Sequence, residues 1–328
     1  MGNASLKKIA VLTSGGDAPG MNAAIRAVVR TANYHKIECV GVRGGYTGLI
    51  EGNFTKMGPR SVSNIINLGG TILRSARSKE FRTEEGRQKA FEQCQKNGID
   101  ALVCIGGDGT FTGAKIFAEE FGVKVIGVPG TIDNDIFGTD FTIGYDTALN
   151  TAMEAIDKIR DTATSHNRVF FIEVMGRDAG FIALNSGIAS GALDILIPEK
   201  KDSLEDLFET FEKAQKRGKT SSIVIVAEGE RLASTYELAE QTKQRFPDYD
   251  IRVSILGHIQ RGGAPSCADR VLASRMGYGA VVGLLKGLTN VMAGIRSNDL
   301  VFTPIEDAIR KHNEINQDLL QIAEILSM

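Results

Sequence analysis

Short apolar segments rich in β-branched residues alternate along the chain with longer segments whose apolar residues recur every three or four positions. The first such pair is Lys8–Thr13 and Met21–His35. The residues that share one face of the second segment are Met21, Ile25, Val28, Val29 and Ala32. A short apolar run predicts a buried strand and the wider period predicts a helix. The chain therefore begins with a strand–turn–helix unit.

The same alternation continues through most of the chain. Further strands are predicted at Ala101–Ile105, Lys124–Val128, Val169–Val174, Ile223–Ala227 and Ile251–Leu256. Helices are predicted from about Thr110 and over Thr147–Thr164. This order is typical of mainly parallel sheets covered by helices on both faces. We therefore predict an α/β protein with Rossmann-like three-layer domains.

The length of 328 residues favours about two domains. We expect a domain change near the start of the long helix Thr147–Thr164, although no low-complexity or proline-rich linker marks it. A later segment is free to return and complete the first domain.

Overall charge excludes one class of partner. Lys and Arg number 38 against 40 Asp and Glu, a formal net charge of −2, so nucleic-acid binding is disfavoured.

The sequence contains neither an apolar run of membrane-spanning length nor a signal-peptide pattern, so we expect no membrane association. The four cysteines have no Cys-x-x-Cys spacing, and we expect buried, reduced thiols in a cytosolic protein.

Glycine is in excess, with 37 residues, and the excess is concentrated where strands lead into helices. The three corners are Gly15–Gly20, Gly106–Gly109 and Gly176–Gly180. Exposed backbone N–H groups at a helix start suit phosphate, although glycines at such corners also serve simply as tight turns. Neither the dinucleotide fingerprint nor the P-loop pattern is present. Asp108 in the second corner would repel phosphate unless a cation such as Mg²⁺ intervenes.

Two other clusters follow predicted strands. Pro129–Asp135 contains Thr131, Asp133 and Asp135, which an extended chain would direct to one side. We interpret them as an acid–base site for phosphoryl transfer, with a turn rich in Asp, Asn, Gly and Pro as the alternative.

Gly257–Gly263 contains His258 and Arg261, which with Arg168 and Arg177 could bind an anion. A lone histidine such as His258 is more often structural than catalytic, and His35, His166 and His312 lack a comparable context.

These motifs, in this order, resemble those of the bacterial 6-phosphofructokinases over nearly the whole chain. The segments that carry the resemblance are Gly15–Asn22, Gly106–Thr110, Pro129–Asp135, Met175–Arg177 and Gly257–Gly263. The Gly-Gly-Asp-Gly element is shared with NAD kinases and lipid kinases, whereas the aspartate segment and the His-Ile-Gln-Arg-Gly-Gly run are specific to this family.

The resemblance implies phosphorylation of fructose 6-phosphate at its 1-hydroxyl by ATP with Mg²⁺. The residues implied for ATP are Gly16, Arg77, Ser78, Gly107, Asp108, Gly109, Thr110 and Gly113, with Asp108 on the metal. The implied catalytic residues are Asp133 as general base, Thr131 and Asp135 as orienting groups, and Arg77 and Arg177 as charge-neutralising groups. The residues implied for the sugar and its 6-phosphate are Thr131, Asp133, Arg168, Met175, Gly176, Arg177, Glu228, Arg252, His258 and Arg261.

The family pattern also implies an architecture. It places a larger ATP-binding domain at residues 1–144 plus about 260–310, a smaller sugar-phosphate domain at 145–259 plus about 311–328, and the active site in the cleft between them. It implies a cytoplasmic homotetramer in which Arg168 and Arg252 reach a neighbouring subunit.

Donor and effector choice are less uniform in this family. Pyrophosphate-using relatives carry Asp where Gly109 stands and Lys where Gly130 stands, so two glycines here predict ATP. Basic positions for ADP or phosphoenolpyruvate are matched by Arg26, Arg30, Arg160, Arg217 and Lys219. Others depart: Asn53, Gly58, Leu193 and Ser221 replace Arg, Asp, Glu and, in some members, His. We therefore expect an altered effector response.

Two other functions remain open from the sequence. A kinase of NAD or a lipid would share Gly106–Thr110 but has no need of the basic run at Gly257–Gly263. A nucleotide sensor without catalysis would keep the glycine corners but has no need of Asp133. A pyrophosphate-dependent enzyme is the alternative within the family.

Overall fold

The computed structural model describes residues 6–166, 168–219 and 221–327. The strands are β1 Lys8–Thr13, β2 Glu38–Val42, β3 Phe54–Met57, β4 Ala101–Gly106, β5 Lys124–Pro129, β6 Arg168–Val174, β7 Asp194–Leu196, β8 Ser222–Ala227, β9 Asp250–Ile255, β10 Val291–Arg296 and β11 Asp299–Pro304. The α-helices are α1 Met21–Tyr34, α2 Gly45–Glu51, α3 Glu84–Lys96, α4 Asp108–Phe121, α5 Tyr145–His166, α6 Phe181–Ser190, α7 Leu204–Lys216, α8 Thr235–Arg245, α9 Cys267–Leu285, α10 Ile305–Arg310 and α11 Gln317–Leu326.

The chain divides into two compact units. The first runs up to Ile132 and includes Ile136–Thr147 and Arg261–Asn313. The second contains Asp133–Asp135, Ala148–Gln260 and the chain from Glu314 onward. The domain boundaries predicted at 144/145, about 259/260 and about 310/311 stay a prediction, and their outermost residues, 1–5 and 328, lie outside the described residues.

The first unit is built on a sheet of order β11-β10-β5-β4-β1-β2-β3. Its central strands are parallel, and every residue of β4 is buried, as expected for a strand covered on both faces. The core on one face includes Leu102, Phe111 and Phe117. On the other face α1 packs against α9, where a Cβ atom at Gly277 would lie 2.6 Å from Ala24 O.

The second unit has the order β7-β8-β6-β9, and every pairing in it that joins these strands is parallel. Its core includes Phe171, Phe211, Val224 and Leu238. The prediction of mainly parallel α/β sheets is therefore confirmed in both units.

The pattern predicts six of the strands in the described residues and misses β2, β3, β7, β10 and β11. Three of these, β3, β7 and β11, lie at sheet edges, where partial burial weakens the pattern. The other two, β2 and β10, lie inside the first sheet and pair antiparallel with β3 and β11. The chain does return to the first sheet, because β10 pairs with β5. Helix α4 begins at Asp108, two residues earlier than predicted.

None of the helices within residues 6–166, 168–219 and 221–327 is both long enough and apolar enough to cross a membrane.

Candidate functional site

The turn between β4 and α4 is built with almost no spare room. Gly106 ends β4, Gly107 precedes the helix, and Asp108 begins it. A Cβ atom at Gly106 would lie 2.3 Å from Thr110 Oγ1 and 2.5 Å from Ser14 O. Only glycine therefore fits at this position. Gly109, in contrast, is exposed, and a Cβ atom there would meet no atom within 4 Å among the described residues.

The first turn of α4 is fixed by side chains as well as by packing. Thr110 Oγ1 donates to Ser14 O at 3.0 Å, and the Tyr46 hydroxyl donates to Thr110 O at 2.5 Å. The Tyr46 ring stacks on Phe81 with centroids 4.0 Å apart. Burial raises the pKa of Tyr46 well above its usual range, so the phenol stays a neutral donor. The backbone N–H groups at the start of α4 are thus held in place, which suits a phosphate site.

Tyr46 was not predicted from the sequence. Its ring also closes the space beside Gly113, where a Cβ atom would lie 3.0 Å from the ring. The sequence offers no signal for this contact, because Tyr46 lies on α2, 64 residues from Thr110.

The corner Gly15–Gly20 is tied to the segment that carries Arg77 and Ser78. Ser75 Oγ donates to Gly15 O at 2.9 Å. The buried Asn22 side chain donates to Leu68 O at 3.1 Å and accepts from Ile72 N at 2.8 Å. Asn22 therefore fixes residues 68–72 against α1. Arg77 is exposed, and Ser78 Oγ accepts from Phe81 N at 3.2 Å.

Arg261 lies in the first unit, against the same corner. Its Nη1 donates to Asp17 O at 3.2 Å, and a Cβ atom at Gly16 would lie 2.7 Å from that nitrogen. The sequence placed Gly16 with ATP and Arg261 with the sugar phosphate. These two residues are in contact in the structure, and their separate roles stay predictions.

The aspartate segment differs in conformation from the prediction. Thr131 and Asp133 are more than nine-tenths buried, and Asp135 is half-buried. Asn134 has a left-handed φ of 56°, so the chain is not extended through these residues and a period of two cannot align their side chains. The expectation of an extended run was wrong, because the segment bends where it leaves the sheet. Its start is fixed in the first unit, since Thr142 Oγ1 donates to Thr131 O at 2.7 Å and Gly130 N donates to Gly106 O.

Asp108 provides the carboxylate that Mg²⁺ prefers among protein ligands. A second donor was missed: ligand atoms of Asp108 and His312 lie within 4.8 Å of each other. An isolated bridge between Ile136 and His312 brings the histidine to this place. The donor set fits a divalent cation beside bound phosphates. No sequence pattern points to His312, because 204 positions separate the two residues in the chain.

In the second unit, predicted sugar-binding residues lie where β6, β8 and β9 end. Met175, Gly176 and Arg177 follow β6, Glu228 follows β8, and His258 follows β9. Arg177 N donates to a Glu228 carboxylate oxygen at 3.3 Å. The carboxyl ends of neighbouring parallel strands meet at one edge, so the topology places these residues on the same edge of the sheet.

Arg168 and Arg252 share a partner that the sequence analysis missed. Arg168 Nε lies 2.7 Å from Asp250 Oδ2, and Arg252 Nη2 lies 3.0 Å from Asp250 Oδ1. The hydrogen bond from Arg168 lowers the pKa of Asp250. The strand register pairs Arg168 with Asp250, and Arg252 is two residues further on the same face. Asp250 therefore holds the two arginines together at the start of β6 and β9.

The predicted effector residues divide between the units. Arg26 and Arg30 lie on α1 in the first unit, where burial and the charge of Arg30 lower the pKa of Arg26. In the second unit, desolvation and the charges of Arg160 and Arg217 lower the pKa of Lys219. Each group is thus a set of like charges that an anion would stabilise.

A cavity of about 780 Å³ adjoins the second group. Its basic lining residues are Lys200, Lys213, Arg217 and Lys219, its acidic ones are Asp194 and Glu324, and its apolar ones are Leu184, Leu193, Ile195, Ala214, Leu320 and Ala323. Leu193, which replaces the glutamate of the family pattern, is buried. It contributes no charge to this cavity.

Cysteine placement agrees with the prediction at three positions. Cys39, Cys94 and Cys104 are free and buried, and burial raises the pKa of each thiol to about 12. Cys267 is free but exposed. The expectation of a buried thiol was wrong there, because Cys267 occupies the first turn of α9 at the surface of the unit.

The phosphofructokinase family model matches residues 8–284. The chain belongs to the phosphofructokinase family. It is 57% identical over 322 residues to an ATP-dependent 6-phosphofructokinase of Cytophaga hutchinsonii, covering 98% of each chain. It is 54% identical to ATP-dependent 6-phosphofructokinase 2 of Bacteroides thetaiotaomicron, covering 99% of each.

Solved phosphofructokinases share the fold. The Saccharomyces cerevisiae phosphofructokinase superposes with a TM-score of 0.88 at 38% identity, over 93% of this chain and 45% of that one. A pyrophosphate-dependent phosphofructokinase of Marinobacter aquaeolei superposes at 0.84 with 22% identity, over 98% of this chain and 91% of that one. The second likeness concerns the fold alone.

Proposed function

We propose that this phosphofructokinase transfers the γ-phosphoryl group of ATP to the 1-hydroxyl of D-fructose 6-phosphate, giving fructose 1,6-bisphosphate and ADP. This reaction is the committed step of glycolysis. The observation that carries the proposal is the near-full-length similarity to ATP-dependent 6-phosphofructokinases.

On the nucleotide side, the backbone N–H groups of Gly107, Asp108 and Gly109 bind phosphate oxygens at the start of α4, while Thr110 N donates to Gly107 O within the turn. Asp108 would hold Mg²⁺, which would neutralise phosphate charge when bound. Gly16, Arg77, Ser78 and Gly113 complete the ATP site. Arg77 also stabilises the charge that develops on the transferred group.

On the sugar side, Asp133 accepts the proton of the 1-hydroxyl as the new P–O bond forms and the bond from phosphorus to the ADP oxygen breaks. Its burial removes competing water, which strengthens its interaction with the hydroxyl. Thr131 and Asp135 orient that hydroxyl, and Arg177 neutralises charge on the moving group. Met175, Gly176 and Glu228 bind the sugar. The residues for the 6-phosphate are Arg168, Arg252, His258 and Arg261.

Two glycines support ATP over pyrophosphate as donor. The space beside Gly109 is open, so packing does not require glycine there and the missing side chain leaves room for the nucleotide. At Gly130, a Cβ atom would lie 3.2 Å from both Ile105 and Met21. These apolar neighbours disfavour the lysine that pyrophosphate-using relatives carry.

A coupled assay that measures fructose 1,6-bisphosphate with ATP or pyrophosphate tests this donor choice. We expect turnover with ATP and at most a trace with pyrophosphate. Turnover with pyrophosphate equal to or above that with ATP would assign the chain to the alternative donor class, and the absence of product with either donor would refute the proposed reaction.

We also propose a cytoplasmic homotetramer. Ile255, at the end of the strand that carries Arg252, and Ile259, in the turn that follows it, are 47% and 57% exposed, which is compatible with a subunit contact. Light scattering should then give four times the chain mass of 35.3 kDa. A monomer at assay concentration would contradict the assembly without affecting the proposed reaction.

An altered effector site is the remaining part of the proposal. Arg160, Arg217 and Lys219 support binding of an anion such as ADP or phosphoenolpyruvate, and so do Arg26 and Arg30. Because Asn53, Gly58, Leu193 and Ser221 lack the family's groups, we expect a blunted response. Strong sigmoidal control by both compounds at millimolar concentration would contradict this.

A further inference from the structure

Gln260 is the polar residue at the centre of the His-Ile-Gln-Arg run, and the proposed reaction gives it no task. It lies in the short 3₁₀ turn Gly257–Arg261, after β9. Its side chain is completely buried, with an exposed fraction of 0%. A buried primary amide is costly unless its groups find partners, so its two partners show what it does.

Those partners lie on two different loops. Gln260 Nε2 donates to Gly257 O at 3.0 Å, within its own turn. Gln260 Oε1 accepts from Met175 N at 3.3 Å, at the point where β6 ends. Because β6 and β9 are neighbouring parallel strands, one side chain connects the loops that leave the same edge of the sheet.

Only a neutral amide meets both requirements at this length. The Met175 N–H needs an acceptor, and the Gly257 carbonyl needs a donor. A methionine of similar size supplies neither. A carboxylate keeps the acceptor but faces the carbonyl without a proton to donate.

The two loops carry the proposed sugar-phosphate residues. Met175 immediately precedes Gly176, which has φ 148°, and Arg177, which has φ 57°. This turn is tightly packed, since a Cβ atom at Gly176 would lie 2.4 Å from Ala179 O. Fixing the N–H of Met175 therefore fixes where the turn begins. On the other loop, the bond to Gly257 fixes the residue directly before His258.

We propose that Gln260 is a positioning residue for the phosphorylated sugar. By joining Met175 to Gly257 through its amide, it holds the Met175–Arg177 turn and His258 in the spacing that the sugar phosphate requires. It acts through these residues and not by touching the reacting atoms. This inference rests on the proposed function, because it assumes that both loops bind fructose 6-phosphate.

The test compares Gln260→Met with a matched control, Thr242→Val. Thr242 is also completely buried in the second unit, and its hydroxyl donates to Leu238 O at 2.7 Å, away from both loops. Both changes remove buried hydrogen bonds, so thermal melting should show a comparable loss of stability. KM for fructose 6-phosphate and KM for ATP are then measured for each variant, with calorimetric titration of fructose 6-phosphate as a readout independent of turnover.

We expect Gln260→Met to weaken the binding of fructose 6-phosphate by about tenfold or more, because two buried hydrogen bonds are lost. KM for ATP should stay unchanged within about twofold. Thr242→Val should change neither constant. If KM for both substrates rises together, or if fructose 6-phosphate binding is unchanged, Gln260 has only a structural role and the inference is wrong.

Gln260→Glu provides a second variant that keeps the length and the acceptor for Met175. We expect a smaller loss of fructose 6-phosphate affinity than in Gln260→Met, and the same selectivity for the sugar over ATP. Should Gln260→Met not fold, this selectivity alone decides the question. An inactive parent protein would refute the proposed function, whereas an active parent with an unaffected variant would refute only the role of Gln260.

Discussion

The first and second units present the ends of their central strands in different ways. At the β4–α4 turn of the first unit, the groups offered to a ligand belong to the backbone: Gly106 fits because it has no side chain, and the side chains of Tyr46 and Thr110 hold that backbone in place. In the second unit the proposed ligand-binding groups are mainly side chains, and side chains also join the loops that carry them, since Gln260 connects two loops and Glu228 accepts from Arg177 N. Substitutions should therefore affect folding in the first place and ligand affinity in the second.

This contrast matches the chemistry of the two proposed ligands. A polyphosphate offers many equivalent oxygens, which backbone N–H groups at a helix start bind without discrimination. A sugar phosphate must be held in one orientation, and directional side-chain contacts provide it. Both ligands are anions, but only the second requires its neighbours at fixed angles.

The largest expected effect is a loss of turnover without a loss of ATP binding. Asp133→Ala should lower kcat by a factor of about 10²–10⁴, the usual contribution of a general base, while ATP affinity is nearly retained. Steady-state kinetics and titration with ATP measure the two. The exposed Asp248→Ala is the control, with unchanged kinetics. Undiminished turnover in Asp133→Ala would remove this residue from the mechanism.

Two glycines of the β4–α4 turn, Gly106 and Gly109, test how that turn is packed. Gly106→Ala should destabilise the fold by on the order of 3 kcal/mol, because its methyl group would overlap Thr110 and Ser14. Gly109→Ala should leave the melting temperature unchanged or slightly raised, since alanine favours a helix by about 0.5–1 kcal/mol. It should nevertheless raise KM for ATP by roughly tenfold. Equal stability of the two variants would contradict the packing argument.

Removing a charged side chain in the second unit should have the opposite profile. Arg252→Ala should weaken the binding of fructose 6-phosphate by about tenfold to a hundredfold, which is the usual contribution of one charge-assisted hydrogen bond to affinity. The melting temperature should stay within about 1 °C, because Arg252 is exposed and its pair with Asp250 lies at the surface. A large loss of stability with unchanged sugar affinity would reverse our assignment of the two regions.

The smallest effect concerns a carboxyl group away from both ligands. Burial raises the pKa of Asp194 to about 6, above its ordinary value. The folded state therefore binds a proton that the unfolded state releases between about pH 4 and pH 6, and stability falls as pH rises through this range. Urea unfolding at pH 5 and pH 7.5 should show this fall, by about 1.4 kcal/mol, since one pH unit of the range lies between the two measurements, and Asp194→Asn should reduce it. An identical pH dependence in both proteins would contradict the prediction.

Sequence alone predicts β1, β4 and β5, because they are continuous apolar runs whose period does not depend on distant residues. It misses the edge strands β3, β7 and β11, whose short or partly exposed runs carry little pattern, and it also misses β2 and β10, which lie inside the first sheet. The positions of the glycine corners follow from the strand ends, and so does the presence of charged residues beside them.

Residues that act through long-range contacts are outside the reach of a pattern. Tyr46, His312 and Asp250 are placed by the fold next to Thr110, Asp108 and Arg168, which lie far away in sequence. The bend at Asn134 is also invisible to periodicity, because a left-handed residue interrupts the alternation without changing composition. The family resemblance identifies what the motifs are for, and the structure identifies what holds them.

The most direct test follows the phosphorus atom itself. Purified protein is incubated with ATP, Mg²⁺ and fructose 6-phosphate, and the products are identified by ³¹P NMR. The account predicts that the γ-phosphate signal of ATP is replaced by a second sugar-phosphate resonance, that of the 1-phosphate of fructose 1,6-bisphosphate, in equal amount with ADP. Release of inorganic phosphate, or phosphorylation at another hydroxyl, would contradict it.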